Sequence, residues 1–428
     1  MMARVLKLIG IALIPGIGQF YNGQKIKGSI FLGIFAIFWG EVIFWGANSL
    51  TNIITLGKVP FQDNSLFYLI EGAIQIIIIL VFISFWIISL IDVRNIKKKI
   101  ARGEKINTTW KQHWTTLNEK GFPYLLTIPA YFFMLISIVF PVLVTVLISF
   151  TNYDFEHIPP VRLLNWVGAD NFATIVSYGS IRDTFFKVLE WTIIWTFAGT
   201  TLQIVIGIAL AVVLNKKGLK FKRIFGVIFL LPWAVPAFIT IMSFSNIFSD
   251  SAGAINAQVI PMLNHILPFL HLGSIPWKTD PFWTKVAIIL VQGWIGFPYI
   301  YVMVSGILQS IPKDLYEAAI VDGASPFQQF KNITLPAIML IAAPTFITQY
   351  VGNFNNFSTI YLFNDGGPGS VGAGAGETDI LISWIYKLAT GQSPQYSIAA
   401  AVTLIISFFV VVSSLIVFKR TKAFKLED

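Results

Sequence analysis

The chain alternates between long apolar runs and short polar connections. A bilayer-spanning helix needs roughly 20 mostly apolar residues. Eight runs meet that length, near 29–48, 67–92, 122–150, 187–214, 222–248, 284–309, 337–361 and 396–418. The pattern predicts an all-α polytopic membrane protein with about eight transmembrane helices. Residues 4–28 differ: an apolar stretch flanked by Arg4, Lys7, Lys25 and Lys27 is interrupted by Pro15-Gly16-Ile17-Gly18. It is too short and too broken to span, so an interfacial or re-entrant cytoplasmic segment is expected. The alternative, a true extra span, would put the N-terminus outside.

Composition supports the membrane reading. Of 428 residues, 55% are hydrophobic and only 12% charged, with a mean hydropathy of +0.73, against about a quarter charged in soluble domains. The net charge of +9 gathers at span ends, so nucleic acid is not needed to explain it. Basic residues favour the cytoplasmic side. Arg94, Lys97, Lys98, Lys99, Arg102, Lys105 and Lys111 fill one connection, Lys216, Lys217, Lys220, Lys222 and Arg223 another, and Lys419, Arg420, Lys422 and Lys425 follow the last span. With these inside, both termini are cytoplasmic, and the loops near 49–66, 151–186, 249–283 and 362–395 lie outside. The organisation expected is an interfacial segment (1–28), two accessory spans (29–92), a basic linker beside anionic lipid (93–121), a six-helix core (122–418) and a basic tail (419–428). In the outer loops, Asp170-Asn171-Phe172 could open a short helix, and the glycine-rich stretch 362–395 is expected to be flexible.

Several chemistries are excluded. Without cysteine there is no disulfide or thiolate site. The four histidines show no metal-ligand spacing. Gly367-Pro368-Gly369-Ser370-Val371-Gly372 fits G-x-G-x-x-G, but no strand-and-helix unit surrounds it, so it is no dinucleotide site. No phosphate-loop motif exists, so the chain does not hold ATP in that way. Glu41 and Glu71 lie in or near the first two spans; Glu71 is close to an outer end and Glu41 is expected to pair across the helix bundle or face lipid headgroups, rather than serve a proton relay, since the core has no carboxylates near its middle.

Three mid-span stretches carry candidate ligand groups. Leu231-Pro232-Trp233-Ala234-Val235-Pro236-Ala237 has two prolines four apart, which bend or unwind a helix. Trp294-Ile295-Gly296-Phe297-Pro298-Tyr299 joins glycine, proline and aromatics. In the third, Gln349, Gly352, Asn353 and Asn356 share one face at helical spacing. Such amides must face other helices or a watery cavity. If the three helices neighbour one another, these groups form one chamber of amides and rings, suited to a neutral polyhydroxylated ligand. The plainer alternative is that the amides bind helix to helix and the prolines only kink.

Between the last long runs lies a polar island. Pro312 suits a first helical turn, and Asp314 and Glu317 suit a helix N-terminus. Ala318 and Ala319 allow close approach, Gly323 permits a turn, and Ser325, Pro326 and Gln328 open a second helix with a capping box. A helix-turn-helix hairpin on the cytoplasmic face is expected. Its sequence, Tyr316-Glu317-Ala318-Ala319-Ile320-Val321-Asp322-Gly323 followed by Ile333-Thr334-Leu335-Pro336, resembles the coupling loop (310–336) of ABC importer permeases.

With Leu231–Pro236, Gly296–Tyr299, Asn353–Phe357 and Asn364-Asp365-Gly366-Gly367-Pro368, the chain from about Phe122 onward resembles the maltose/maltodextrin family of type I ABC importers, and in it the MalF-type permease subunit. The resemblance implies a transport subunit, not an enzyme, with no catalytic residue, metal or cofactor of its own. It implies a MalG-type second permease, a homodimeric ATPase carrying ATP and Mg2+, an extracellular solute-binding lipoprotein and an oligosaccharide substrate. The coupling residues it implies are Tyr316, Glu317, Ala318, Ala319, Asp322, Gly323 and Pro326. Its sugar-contacting positions fall on Trp233, Ala237, Gly296, Tyr299, Gln349, Gly352, Asn353 and Asn356. Trp233 replaces a tyrosine of the family pattern, Ala237 and Gln349 replace hydroxyl side chains, and Gly352 replaces an aromatic. A maltodextrin is the expected substrate, with another oligosaccharide as alternative. An ion-coupled transporter would need core carboxylates, and Asp154 and Glu156 are the only weak candidates for a membrane enzyme. The 151–186 loop is too short for the large outer domain of enterobacterial members, which fits a Gram-positive plasma membrane.

Overall fold

The computed structural model describes residues 13–421, except 178 and 217. The described chain is helical, and its only pairings of extended backbone are two isolated bridges. Among the described residues, seven helices are long and apolar enough to cross a membrane. The chain divides into two compact bodies, one up to Gly168 and one from Ala169.

In the first body, helix α1 (Ile17–Tyr21) and the turn after it precede α2 (Lys25–Thr55). Residues 13–24 therefore form a short helix and turn rather than a span, while residues 4–12 lie outside the described residues. Gly16, at φ +101°, lets the chain fold back: a Cβ there would meet Gly28 O at 2.5 Å and Leu32 N at 2.9 Å. The returned segment is pinned to α3 (Ser65–Ala101) by the fully buried Gln19, whose amide donates to Ser89 O at 3.2 Å and Asp92 Oδ2 at 3.1 Å. Lys27 pairs with the same Asp92.

Helices α2 and α3 pack through rings, with Phe38 on Phe82 at 3.7 Å and Phe31 on Phe85 at 4.9 Å. Glu41 pairs across them, accepting from Gln75 Nε2 at 3.3 Å, as an isolated carboxylate in an apolar setting must. Asn64 caps α3, and Thr109 with Gln112 forms the capping box of α4 (Trp110–Ile148). In the turn before α3, Asp63 accepts from the N–H groups of Lys58 and Val59 and from the Tyr68 hydroxyl. Those bonds hold its carboxyl below the usual aspartate range, the backbone donors first.

The second body starts with α5 (Asp170–Ser177), the short helix expected there. Helices α6 (Gly179–Leu214) and α11 (Pro281–Ser310) pack along their length. Gly207 permits the contact, because a Cβ there would lie 2.5 Å from Ile300 Cβ. The fifth expected span, 222–248, is not one helix. It breaks into α7 (Lys222–Ile228), α8 (Leu231–Ala234) and α9 (Ala237–Ile247), with Val235 extended and Pro236 capping α9. Pro232 and Pro236 each remove a donor, and the interruption falls between them. A short α10 (Ile260–Ile266) lies in the following connection.

After α11 come α12 (Lys313–Val321) and α13 (Pro326–Gln329), the latter running through a wide turn into α14 (Leu335–Phe354). The span expected at 337–361 lies within the candidate span Pro326–Asn364, but its helix is interrupted after Phe354. Asn356 then caps α15 (Phe357–Asn364), its side chain accepting from Thr359 N. Helices α16 (Leu381–Thr390) and α17 (Tyr396–Thr421) complete the described chain, and residues 422–428 of the expected basic tail lie outside it.

The glycine-rich stretch expected as a flexible loop is internally bonded. Asp379, almost fully buried, accepts from Gly376 N, Ser383 Oγ and Lys387 Nζ, each at 2.7 Å. Trp384 is buried beside it and donates to Ala373 O. A buried charge pair broken on one side leaves the other charge unpaired. Replacing Asp379 by Ala should destabilise the fold by about 3 kcal/mol, read as a lower unfolding temperature, with Asp379→Asn milder. Asp63 makes an acid-labile contribution: its pKa is depressed, so the stabilisation is present at neutral pH and lost as pH falls through the folded value. Proteolysis in the 56–64 turn should rise below about pH 4, and Asp63→Ala should remove that pH dependence.

Candidate functional site

The spanning helices carry mostly apolar surface, so polar side chains in the middle of the second body stand out. Gln349, Asn353 and Asn356 meet two amides that the three mid-span stretches do not include, Gln203 on α6 and Gln292 on α11. Gln203 is fully buried; Gln292 and Asn353 are 6% and 5% exposed. Gln292 Nε2 donates to Asn353 Oδ1 at 2.8 Å and to Gln203 Oε1 at 3.1 Å. Gln292 Oε1 accepts from Asn356 Nδ2 at 2.9 Å and faces the Thr359 hydroxyl at 3.3 Å. Asn353 Nδ2 donates to Thr200 Oγ1 at 2.8 Å, and its backbone carbonyl accepts from the Trp195 indole at 2.9 Å. Gln203 Nε2 donates to Gln349 Oε1 at 3.0 Å.

These bonds join α6, α11, α14 and α15. Every member is neutral, and each buried amide finds a partner on another helix, as an apolar surrounding requires. The cluster does part of what the plainer sequence alternative foresaw: it ties helix to helix. It also leaves Gln349 and Asn356 half-buried, on the rim of the bonded set.

The aromatic groups sit at the neighbouring turn. Gln292, Gly296 and Tyr299 occupy one face of α11 at helical spacing. Gly296 allows α11 to approach α6, since the space a Cβ would take is filled by the Gln203 amide. Tyr299 is 38% exposed and its ring lies 6.0 Å from that of Trp233, itself 52% exposed, on the broken segment. Exposed ring faces beside amide edges can stack on sugar rings while the amides bond hydroxyls. Ala237, the first residue of α9, is exposed, and Gly352 faces open space within 4 Å of where its Cβ would be. Neither has a side chain that could bond to the amide cluster.

The signal for Gln203 was a lone amide in the apolar run Thr200–Leu210, and for Gln292 an amide one turn before Gly296.

The polar hairpin has the expected form. Ser325 and Gln328 make a reciprocal capping box around Pro326. Gly323 turns the chain at φ +77° with nothing near it, a conformation costly for any other residue by roughly 1–2 kcal/mol. Asp322 ends α12. Tyr316 is anchored by its hydroxyl to Thr334 at 2.9 Å. Glu317 and Ala318 are exposed and Ala319 is half-buried. Around them Ile320, Val321 and Phe327 are 63%, 87% and 71% exposed, an apolar surface of the kind a partner protein covers.

Two grooves lie elsewhere. One of about 710 Å3 in the first body is apolar apart from Glu41 and suits no hydrophilic ligand. One of about 450 Å3 is lined by Lys187, Glu190, Trp191, Lys285, Glu377 and Asp379, with Lys285 paired to Glu377 at 3.7 Å.

A polytopic helical chain with a broken helix, a mid-span polar cluster and an exposed hairpin is a membrane permease. Residues 203–422 match the family model described as the binding-protein-dependent transport system inner membrane component. The chain is 58% identical over 418 residues to the maltodextrin transport system permease protein MdxF of Bacillus subtilis, covering 98% of this chain and 96% of the relative. It is 46% identical over 424 residues to the galactooligosaccharides transport system permease protein GanP of the same organism, covering 97% and 98%. The maltose/maltodextrin permease protein MalF of Klebsiella aerogenes matches at 36% over 260 residues, 60% of this chain and 49% of the relative. Among solved structures, a bacterial ABC transporter for import of the acidic polysaccharide alginate shares the fold at 20% identity and a TM-score of 0.57, covering 73% of this chain and 99% of that one. The chain belongs to the family of binding-protein-dependent transport permeases, alongside the maltodextrin permeases.

The tight crossing at Gly296 gives a direct check. Gly296→Val should force α6 and α11 apart and lower stability by about 2 kcal/mol, seen as a reduced unfolding temperature of the purified protein, whereas Gly352→Val should leave it unchanged.

Proposed function

We propose that this chain is one of two transmembrane permease subunits of an ATP-driven importer, and that its cargo is a maltodextrin. Kinship with maltodextrin permeases at 58% identity over nearly the whole chain supports the cargo. The observation that carries the reading is the uncharged site: a buried amide cluster beside the exposed rings of Trp233 and Tyr299. A neutral, hydroxyl-rich ligand needs amide donors and acceptors with ring faces and no counter-charge. The kinship with a galactooligosaccharide permease at 46% favours a second reading, a different neutral oligosaccharide in the same chamber.

In this reading the sugar contacts are Trp233, Ala237, Gly296, Tyr299, Gln349, Gly352, Asn353 and Asn356. The hairpin from Tyr316 to Pro326 sits in a cleft of a homodimeric ATPase, which holds ATP and Mg2+; this chain has no cofactor and catalyses no bond cleavage. A MalG-type subunit completes the pore, and an extracellular solute-binding lipoprotein delivers the sugar. The chain lies in a plasma membrane, both termini cytoplasmic, in a Gram-positive cell like those of its Bacillus and Streptococcus relatives. Residues 122–418 form the transport core, with 29–92 accessory to it. Nucleotide binding shifts the complex between outward- and inward-facing states, which it can do only through unequal affinity for the two. The amide cluster and the break at Val235 lie where such a movement opens or closes the chamber.

Two measurements test this. In proteoliposomes of the assembled complex with its binding protein, Asn356→Leu should cut maltodextrin uptake more than about tenfold, the loss expected when a polar contact is removed and its partner is left unpaired. The complex should still assemble, and unaltered uptake would refute the chamber. Gly323→Val should lower uptake and sugar-stimulated ATP hydrolysis together in an assembled complex; normal coupling would remove the hairpin from the mechanism.

A further inference from the structure

The amides of the cluster form a directed chain, and its central link is not among the sugar-contacting positions. Gln203 is fully buried and bonds to two other helices. Its Oε1 accepts from Gln292 Nε2, and its Nε2 donates to Gln349 Oε1. An amide has one accepting and one donating end. Turning Gln203 around would set its NH2 against the NH2 of Gln292 and its oxygen against the oxygen of Gln349. Gln203 therefore fixes the sense of both neighbours.

The consequence reaches the half-buried rim. With its oxygen held by Gln203, Gln349 has its NH2 end without a partner among the described residues. With its NH2 committed to Gln203 and Asn353, Gln292 turns its oxygen to Asn356 and Thr359. Asn356 is thereby held with its own oxygen toward Thr359. Gly296 supplies the close approach that brings Gln203 to α11. The pattern of donors and acceptors at the rim is thus written from a residue behind it.

We propose that Gln203 is the positioning residue of the sugar chamber: it contacts no ligand and sets which end of each rim amide a sugar hydroxyl meets. This rests on the chamber reading above. Substrate choice follows from it, because a hydroxyl array matched to one donor–acceptor pattern is mismatched to the inverted one. A residue that only held helices together would lower uptake of every sugar in equal proportion.

The test uses the assembled complex in proteoliposomes with saturating binding protein, a short linear maltodextrin and its deoxy analogues that each lack one hydroxyl. Gln203→Met, similar in volume and without hydrogen bonds, should reduce uptake about tenfold, the effect of one or two misplaced polar contacts. The ratio between the sugars should change, and Gln203→Met combined with Gln349→Met should lose less than the product of the two single losses, because the branch through Gln349 is common to both and only the branch through Gln292 to Asn356 is added. Equal losses for all sugars, multiplying losses in the double variant, or wild-type uptake would overturn the proposal. If Gln203→Met fails to assemble, Gln349→Met, at a half-buried position, must by itself change the sugar ratio, and an unchanged ratio overturns it. Asn356→Leu run in parallel separates the two levels. Unimpaired uptake there sinks the chamber itself; impaired uptake there with an indifferent Gln203 sinks only the positioning role.

Discussion

A polar group in hydrocarbon has no water to bond, so it must find its partner inside the protein. Most features of this chain answer that constraint. Glu41 turns to Gln75, and Gln19 reaches Ser89 and Asp92. The amides of α6, α11, α14 and α15 close on one another. Where the backbone itself is left open, between Pro232 and Pro236, the surroundings must be protein or a wet cavity rather than lipid. A transport site can exist in a bilayer only where such satisfied groups can exchange partners with a ligand at little net cost.

Such an exchange would suit a site built from neutral amides, as the proposed chamber is. A hydrogen bond between two amides and one between an amide and a sugar hydroxyl are similar in strength, so swapping them is nearly neutral. Buried charges would bind a charged cargo more tightly and release it less readily. The exposed hairpin, with Ile320, Val321 and Phe327 uncovered, belongs to the opposite regime: it carries apolar side chains on its surface, of the kind a partner protein covers.

Much of this was legible in the residues. Length and apolarity located the helices, because spanning length is set by the bilayer, and the turn at Gly323 and the cap at Ser325 follow from local backbone chemistry. The prolines at 232 and 236 announced a distortion, although whether it bends or breaks the helix depends on packing. The helix end at Phe354 was not legible: three asparagines close together, at 353, 355 and 356, compete with the backbone for hydrogen bonds, and the outcome rests on tertiary partners. Gln203 was hidden for a related reason. A single amide in an apolar run carries no periodic signal, and its importance arises only from Gln292 and Gln349, far away in sequence. Asp379 was similarly masked by glycines that read as flexibility until its ties to Ser383 and Lys387 are seen.

The central claim is that sugar replaces protein as the partner of these amides. The most direct measurement is a structure of the complete complex trapped with binding protein and a maltodextrin. The account predicts a glucose unit stacked near Trp233 and Tyr299, with its hydroxyls bonded to Gln349 and Asn356. A sugar held elsewhere, with the amides still closed on one another, would contradict it.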